Sequence, residues 1–165
     1  MPQLTAQLLA QLVDRHGAAL KLFARGWCSV PDDIVQQALI ELAACAELPS
    51  NPVAWLFTVV RRRAISQARL DRRRRQHEQA AGAQWFEYSQ TRHATAAVAA
   101  IALAELPLAD REIVIAHLWG RLTFAEIANL VGTSASTAQR RFEAAINRLR
   151  TKLNPDTTPY LQAES

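Results

Sequence analysis

This sequence has few of the residues and motifs on which many enzymes and secreted proteins depend. Its 165 residues include only two cysteines and five glycines. Two cysteines do not make a disulfide framework, and the spacing of Cys28 and Cys45 is not that of a metal site. Both are expected to be small, buried apolar residues. No Gly-rich phosphate-binding loop is present, so the sequence offers no nucleotide-binding signature of that kind.

Long apolar runs are also missing. A helix needs about 20 apolar residues to cross a bilayer, and the longest apolar stretches here are shorter. The first nine residues lack the basic start and the long apolar run of a secretory signal. We therefore expect a cytoplasmic protein without membrane insertion.

The residues that commonly carry catalysis or bind metals are scattered. Asp32 and Asp33 are adjacent, so their side chains point apart on a helix and do not form a working carboxylate pair. The histidines share no helix face with cysteines or acids at metal-ligand spacing; they are His16, His77, His93 and His117. We expect no catalytic residue, no metal and no cofactor, and thus a protein that is not an enzyme.

What the sequence does contain favours an all-α fold. Half of the residues are hydrophobic, which is enough for a packed core, and no run alternates apolar and polar residues as a half-buried strand does. Apolar residues instead recur at helical spacing. The predicted helical segments are 4–28 (one helix or a pair), 33–46, one from Pro52 into the arginines that follow, 97–106, 111–118, 124–131 and 136–153.

The pattern divides the chain into two small helical domains. We predict a first domain over 1–77, a linker over 78–96, a second domain over 97–155 and a tail over 156–165. The linker loses the helical period but carries Trp85, Phe86 and Tyr88. Apolar rings in a polar stretch indicate either a docking surface for a partner or a contact between the domains.

Positive charge is concentrated at the end of the first domain. Residues 61–75 contain eight arginines and a single acid, Asp71. Such a block can be a solvated helix end, but arginine without lysine is the better choice for gripping phosphates and stacking on bases. The block therefore favours a polyanionic partner.

The second domain contains a helix-turn-helix pattern. Thr123 can cap the helix 124–131, the small Ala128 suits a close helix crossing, and Gly132 can take the positive φ of a tight turn. The next helix begins with small polar residues and arginines, which can reach base edges and phosphates in a major groove. A plain helical hairpin is the alternative. The predicted DNA contacts are Ser134, Ser136, Thr137, Gln139, Arg140, Arg141 and Arg148.

Residues 103–153 resemble region 4 of the sigma-70 family, and they resemble the extracytoplasmic-function group of that family most. The pattern is a Leu-Pro, an Arg-Glu, an acidic-Ile-Ala, a turn glycine and a recognition helix with Thr and Arg. The matching residues are Leu106-Pro107, Arg111-Glu112, Glu126-Ile127-Ala128, Gly132, Thr137 and Arg141.

The first domain resembles region 2 of the same family. Asp33, Val35 and Gln36 match an acidic-apolar-Gln signature, and Trp55-Leu56 match the start of the helix that reads the −10 promoter element. Three positions depart from the pattern. Gln37 stands where the group has an acid, and Arg62 and Ser66 stand at the family's Asn and Asp positions, so how the −10 base is captured stays open.

The resemblance implies a sigma factor that binds core RNA polymerase, directs it to promoter DNA and is held by an anti-sigma protein. It assigns the recognition-helix residues named above to the −35 element. Polymerase contacts would be Asp33, Gln36, Gln37 and Glu41. Contacts to the −10 element would be Trp55, Arg61, Arg62, Arg63, Ser66, Arg69, Arg72 and Arg73. The apolar spacing of Trp55 favours a core role over base stacking.

Two other functions fit parts of the sequence. A stand-alone helix-turn-helix regulator would need a dimer interface or a ligand pocket, and the first domain has no evident heptad or sensor-like composition. A protein-interaction module without a DNA role would keep its activity when Arg140 and Arg141 are neutralised.

Overall fold

The computed structural model describes residues 4–77 and 94–154, and every regular element in these two ranges is an α-helix. This confirms the predicted fold class. The helices are α1 (Ala6–Arg25), α2 (Pro31–Ala43), α3 (Pro52–His77), α4 (Ala94–Ala104), α5 (Leu108–Leu118), α6 (Phe124–Val131) and α7 (Ala135–Leu153). Among them, none is long and apolar enough to cross a membrane.

The first half is a three-helix unit of α1, α2 and α3. Thr5 caps α1 by accepting a hydrogen bond from the backbone N–H of Leu8 at 3.2 Å. Asn51 caps α3, since its Oδ1 accepts from the N–H of Ala54 at 3.1 Å, and Pro52 lies in the first turn. The edge of one ring meets the face of the other where Phe23 of α1 packs on Phe57 of α3.

The second half is built around α5. Its residues 112–116 are all buried between α6, α7 and α1. The guanidinium of Arg111 donates to the carbonyl oxygens of Leu103, Ala104 and Leu106. The last carbonyl groups of a helix have no hydrogen-bond donor within the helix, and Arg111 supplies donors to those at the carboxyl end of α4.

Three helices begin two or three residues earlier than the sequence pattern predicts, and α7 begins one residue earlier. Proline needs no N–H partner in a first turn, so α2 begins at Pro31, not at 33. Since α5 begins at Leu108 after Pro107, Asp110 lies in its first turn, where a carboxylate is favoured. The alanine-rich start of α4 extends it back to Ala94, because alanine is the best helix former.

The two halves share one continuous hydrophobic core. α1 packs on α5, and α3 packs on α6. The approach is close at two glycines. A Cβ on Gly26 would lie 2.6 Å from Leu108, and a Cβ on Gly120 would lie 2.7 Å from the ring of Phe57. A side chain at Gly120 would clash with the Phe57 ring and with the Ala116 carbonyl oxygen, whereas at Gly26 the end of the flexible Leu108 side chain would have to move.

Candidate nucleic-acid interface

The helix-turn-helix predicted in the second half is formed by α6, a tight turn and α7. Thr123 and Glu126 make a reciprocal capping box: the Thr123 hydroxyl accepts from the N–H of Glu126, whose carboxylate accepts from the N–H of Thr123 at 2.8 Å. Gly132 ends α6 with φ of 74°, in the left-handed region that favours glycine. The cap at Thr123 and the turn at Gly132 are both confirmed.

An aromatic cluster sets the angle between these helices. The imidazole of His117 stacks on Phe124 with centroids 4.4 Å apart and meets Phe142 edge-on at 4.6 Å. Its Nδ1 lies 2.8 Å from the carbonyl oxygen of Leu122. On α7, Ala138 and Ala145 are buried, which leaves the opposite face of this helix to solvent.

The amino-terminal turn of α7 presents the small polar residues predicted to contact DNA. Ser134 is the N-cap, and its hydroxyl accepts from the N–H of Thr137 at 3.2 Å while lying 2.9 Å from Oγ1 of the same residue. Ser136 is exposed beside it. Gln139 donates to Glu143 at 3.1 Å, and Arg140 is exposed. Anion binding is favoured at such a helix end because its N–H groups point outward.

Asp110 holds two arginines of α7 in place. Nε of Arg141 donates to Asp110 Oδ1 at 2.8 Å, and Nη1 of Arg148 lies 3.5 Å from Oδ2. In the sequence, Asp110 directly precedes the predicted helix 111–118. Its role in positioning these side chains was missed because the partners lie 31 and 38 residues further along.

The predicted −10 residues divide into two groups along α3. Arg61 is half-buried, and Arg62 and Arg63 both pair with Glu41 of α2, at 3.2 and 2.6 Å. Arg63 also donates to Gln37 at 2.9 Å. These ion pairs join the predicted polymerase-binding residues Gln37 and Glu41 to the predicted DNA-binding arginines.

The rest of the −10 set lies mostly at the surface. Ser66, Arg69 and the arginines 72–75 are exposed along the carboxyl-terminal part of α3. Trp55, at the other end, is half-buried and packs against the core, as the apolar spacing favoured. On α2, Asp33 and Gln36 are exposed. The aromatic residues 85, 86 and 88 lie outside the described residues.

Hydrogen bonding changes the pKa of two acids on the described surface. The backbone N–H of Thr123 holds the pKa of Glu126 below its ordinary value, with the Thr123 hydroxyl and Asn51 acting in the same direction. The pKa of Asp32 is also lowered, chiefly by its hydrogen bond from Lys21. Over residues 4–77 and 94–154, no three histidine, cysteine or acidic side chains converge as a metal site would require.

The second half matches a known family model, and the whole chain resembles known sigma factors. Residues 102–149 match the model described as "Sigma-70, region 4". A curated relative, the ECF RNA polymerase sigma factor SigK of Mycobacterium ulcerans, is 29% identical over 111 residues. That match covers 63% of this chain and 59% of the relative, so the chain spans less than two thirds of the relative's length.

Two solved structures share the arrangement of helices. One is the sigma factor RpoE in complex with the anti-sigma factor NepR from Bartonella quintana, with 26% identity and a TM-score of 0.67 over 92% of this chain and 99% of that chain. The other, CnrH in complex with the cytosolic domain of CnrY, has 23% identity and a TM-score of 0.57 over 93% and 92%, and supports the fold alone.

The helix-turn-helix of α6 and α7, the family model that covers it, the SigK relative and the RpoE structure agree with one another. Residues 102–149 thus form a sigma-70 region 4, and the chain as a whole is similar to sigma factors of the extracytoplasmic-function group.

Proposed function

We propose that this chain is a sigma factor that binds core RNA polymerase and directs it to promoters in the cytoplasm. In this role the first half reads and melts the −10 element, and the second half reads the −35 element. The exposed polar start of α7, above a glycine turn and beside Arg140 and Arg141, is the observation that carries the proposal. Residues of this kind on a recognition helix can reach base edges in the major groove.

The arginines of α3 support the proposed −10 role. Single-stranded DNA is bound in cationic grooves, and exposed arginines line the carboxyl-terminal part of this helix. Ser66 stands where the family has an acid, so we propose that base capture here depends on neutral hydrogen bonding and neighbouring arginines, not on a carboxylate.

The exposed face of α2 is our proposed docking site for core polymerase. Asp33 and Gln36 are free of the arginine network that engages Gln37 and Glu41. We expect Asp33→Ala/Gln36→Ala to weaken core binding in a pull-down with purified polymerase. Asp14→Ala, an exposed acid on α1, is the matched control and should bind as the wild type does.

One solved structure also suggests an anti-sigma partner. In the Bartonella quintana structure described above, the sigma factor RpoE is in complex with the anti-sigma factor NepR. We propose a protein partner of the same kind for this chain, with Trp85, Phe86 and Tyr88 among its contacts. Equal partner capture by Trp85→Ala/Phe86→Ala and the wild type would reject those contacts.

Reconstituted transcription tests the proposal as a whole. Purified protein is mixed with core polymerase and genomic fragments, and the 5′ ends of the transcripts are sequenced. Starts behind a shared two-part motif are expected. Arg140→Ala/Arg141→Ala should abolish them, and Arg25→Ala, an exposed arginine on α1, should not. Duplex binding without polymerase binding or specific starts would instead favour a stand-alone helix-turn-helix regulator.

A further inference from the structure

Glu112 is the one charged side chain that is buried in the described part of the chain, at 2% exposure. It lies on α5, in the second half, but both of its side-chain partners come from the first half. The indole Nε1 of Trp27 donates to its Oε1 at 2.7 Å. The guanidinium of Arg61 donates to the same oxygen through Nε at 2.9 Å, with Nη2 lying 3.5 Å from Oε2.

These three groups form one unit. The guanidinium carbon of Arg61 lies 5.5 Å from the centre of the Trp27 ring, so the cation also faces an aromatic surface. A buried carboxylate is tolerated only when it is paired and hydrogen-bonded, and removal of one partner leaves an uncompensated charge. While the halves stay together, burial of the Glu112 carboxylate therefore depends on both Trp27 and Arg61.

Closure also brings the predicted −10 residues against the second half. A cleft of about 300 Å³ between α3 and α6 is lined by Thr58, Arg61, Arg62, Ile65, Ser66 and Arg69 from α3 and by Leu130 from α6. A DNA strand on this face of α3 would have to share the cleft with the helix-turn-helix.

The distance between the promoter elements also requires the two halves to separate. The −10 and −35 elements lie about 25 base pairs apart, which is about 85 Å along a duplex at about 3.4 Å per pair. A compact chain of this length has a radius of gyration of about 15 Å and hence a diameter of about 40 Å. The closed halves therefore cannot reach both elements at once.

We propose that Glu112 is a latch that competes with DNA for Arg61. In the closed form the carboxylate holds Arg61 and Trp27, and the halves stay together. When a phosphate of the −10 strand takes Arg61, Glu112 loses its cationic partner and the halves separate. Closure and strand binding then exclude one another. This inference rests on the proposed function, because it needs Arg61 to contact DNA.

Glu112→Gln tests the latch, since it keeps the shape of the side chain and removes the charge. We expect a larger radius of gyration in small-angle X-ray scattering. We also expect this variant to bind a single-stranded oligonucleotide about tenfold more tightly, as measured by fluorescence anisotropy. This factor assumes that, in the wild type, the closed form outnumbers the open, binding-competent form by about ten to one. Trp27→Phe removes the indole hydrogen bond to Glu112 but keeps an aromatic ring at the position that faces Arg61. It should raise the radius of gyration and the oligonucleotide affinity, each by a smaller factor than Glu112→Gln does. If Glu112→Gln does not fold, Trp27→Phe is the variant that tests the latch.

Glu105→Gln is the matched control. Glu105 is a half-exposed acid that pairs with Lys152 inside the second half, so its loss changes the net charge equally without touching the contact between halves. It should alter oligonucleotide affinity less than twofold. The latch would be overturned, and the proposed function kept, if the wild type directs transcription and Glu112→Gln has the same radius of gyration and oligonucleotide affinity as the wild type. Absence of oligonucleotide binding by every variant would overturn the competition for Arg61, whereas a wild type that directs no transcription with core polymerase would overturn the proposed function.

Discussion

Gly120 lies where the turn after α5 comes closest to α3. A Cβ here would lie 2.6 Å from the carbonyl oxygen of Ala116 and 2.7 Å from the Phe57 ring. We expect Gly120→Ala to lower the free energy of unfolding by about 1–3 kcal/mol, the usual cost of overpacking. Urea denaturation followed by circular dichroism measures this change.

Gly17 gives the matched control for that substitution. It lies inside α1, where an added Cβ would meet only a Val13 methyl at 3.8 Å, an ordinary contact. Gly17→Ala should therefore stabilise the protein by about 0.5–1 kcal/mol, since alanine is the better helix former. If both substitutions changed stability equally, the close approach at Gly120 would not be the cause.

Glu126 should make the stability of the helix-turn-helix depend on pH. Its pKa is lowered in the folded protein, chiefly by the N–H of Thr123, so its contribution is complete above the ordinary value of 4.5 and is lost as the pH falls through the lowered pKa. We expect Glu126→Ala to cost about 0.5–1 kcal/mol at pH 7 and progressively less on acidification below about 4.5. Urea denaturation over a pH series tests this. Glu143→Ala, on the exposed face of α7, is the control. It should change the free energy of unfolding less than Glu126→Ala does, and that change should vary less with pH.

At the scale of elements, the arginine-rich end of α3 should govern the salt dependence of DNA binding. The four arginines 72–75 are exposed in the last turns of this helix. Each phosphate contact to a single strand contributes about −0.7 to the slope of log K against log salt. Replacement of all four by alanine should therefore make the slope shallower by up to about 3.

Anisotropy titrations with a single-stranded oligonucleotide at several salt concentrations measure that slope. Lys21→Ala/Arg25→Ala removes two cations from α1, outside both proposed DNA surfaces, and is the control. An unchanged slope in the fourfold variant would mean that these arginines do not contact phosphates.

Local elements were predictable because their determinants are close in sequence. The Thr123 cap and the Gly132 turn each depend on residues a few positions apart, and both are present. The helix starts at Pro31 and Leu108 were misplaced by two or three residues, because proline permits a first turn that hydrophobic spacing does not reveal.

At the scale of the whole molecule, the contacts between halves could not be predicted. Arg61 is part of a surface arginine block by sequence, yet it pairs with Glu112, 51 residues away. In the sequence, Glu112 is recognisable only as part of the Arg111-Glu112 motif, and none of the residues next to it in the sequence indicates that it is buried beside Trp27. Such pairs depend on how two helical units dock, and hydrophobic periodicity carries no information about docking.

The shared core leads to a prediction about unfolding. Phe57 touches α1 in its own half and the turn at Gly120 in the other, so loss of one half exposes apolar surface on the other. We expect the wild type to unfold in urea as one cooperative transition, with tryptophan fluorescence and far-ultraviolet circular dichroism coinciding. Glu112→Gln should separate the two curves, because it weakens the contact between halves and leaves each helical unit intact. Two transitions in the wild type would show that the halves are energetically independent, whereas one transition in both proteins would show that apolar packing alone holds them together.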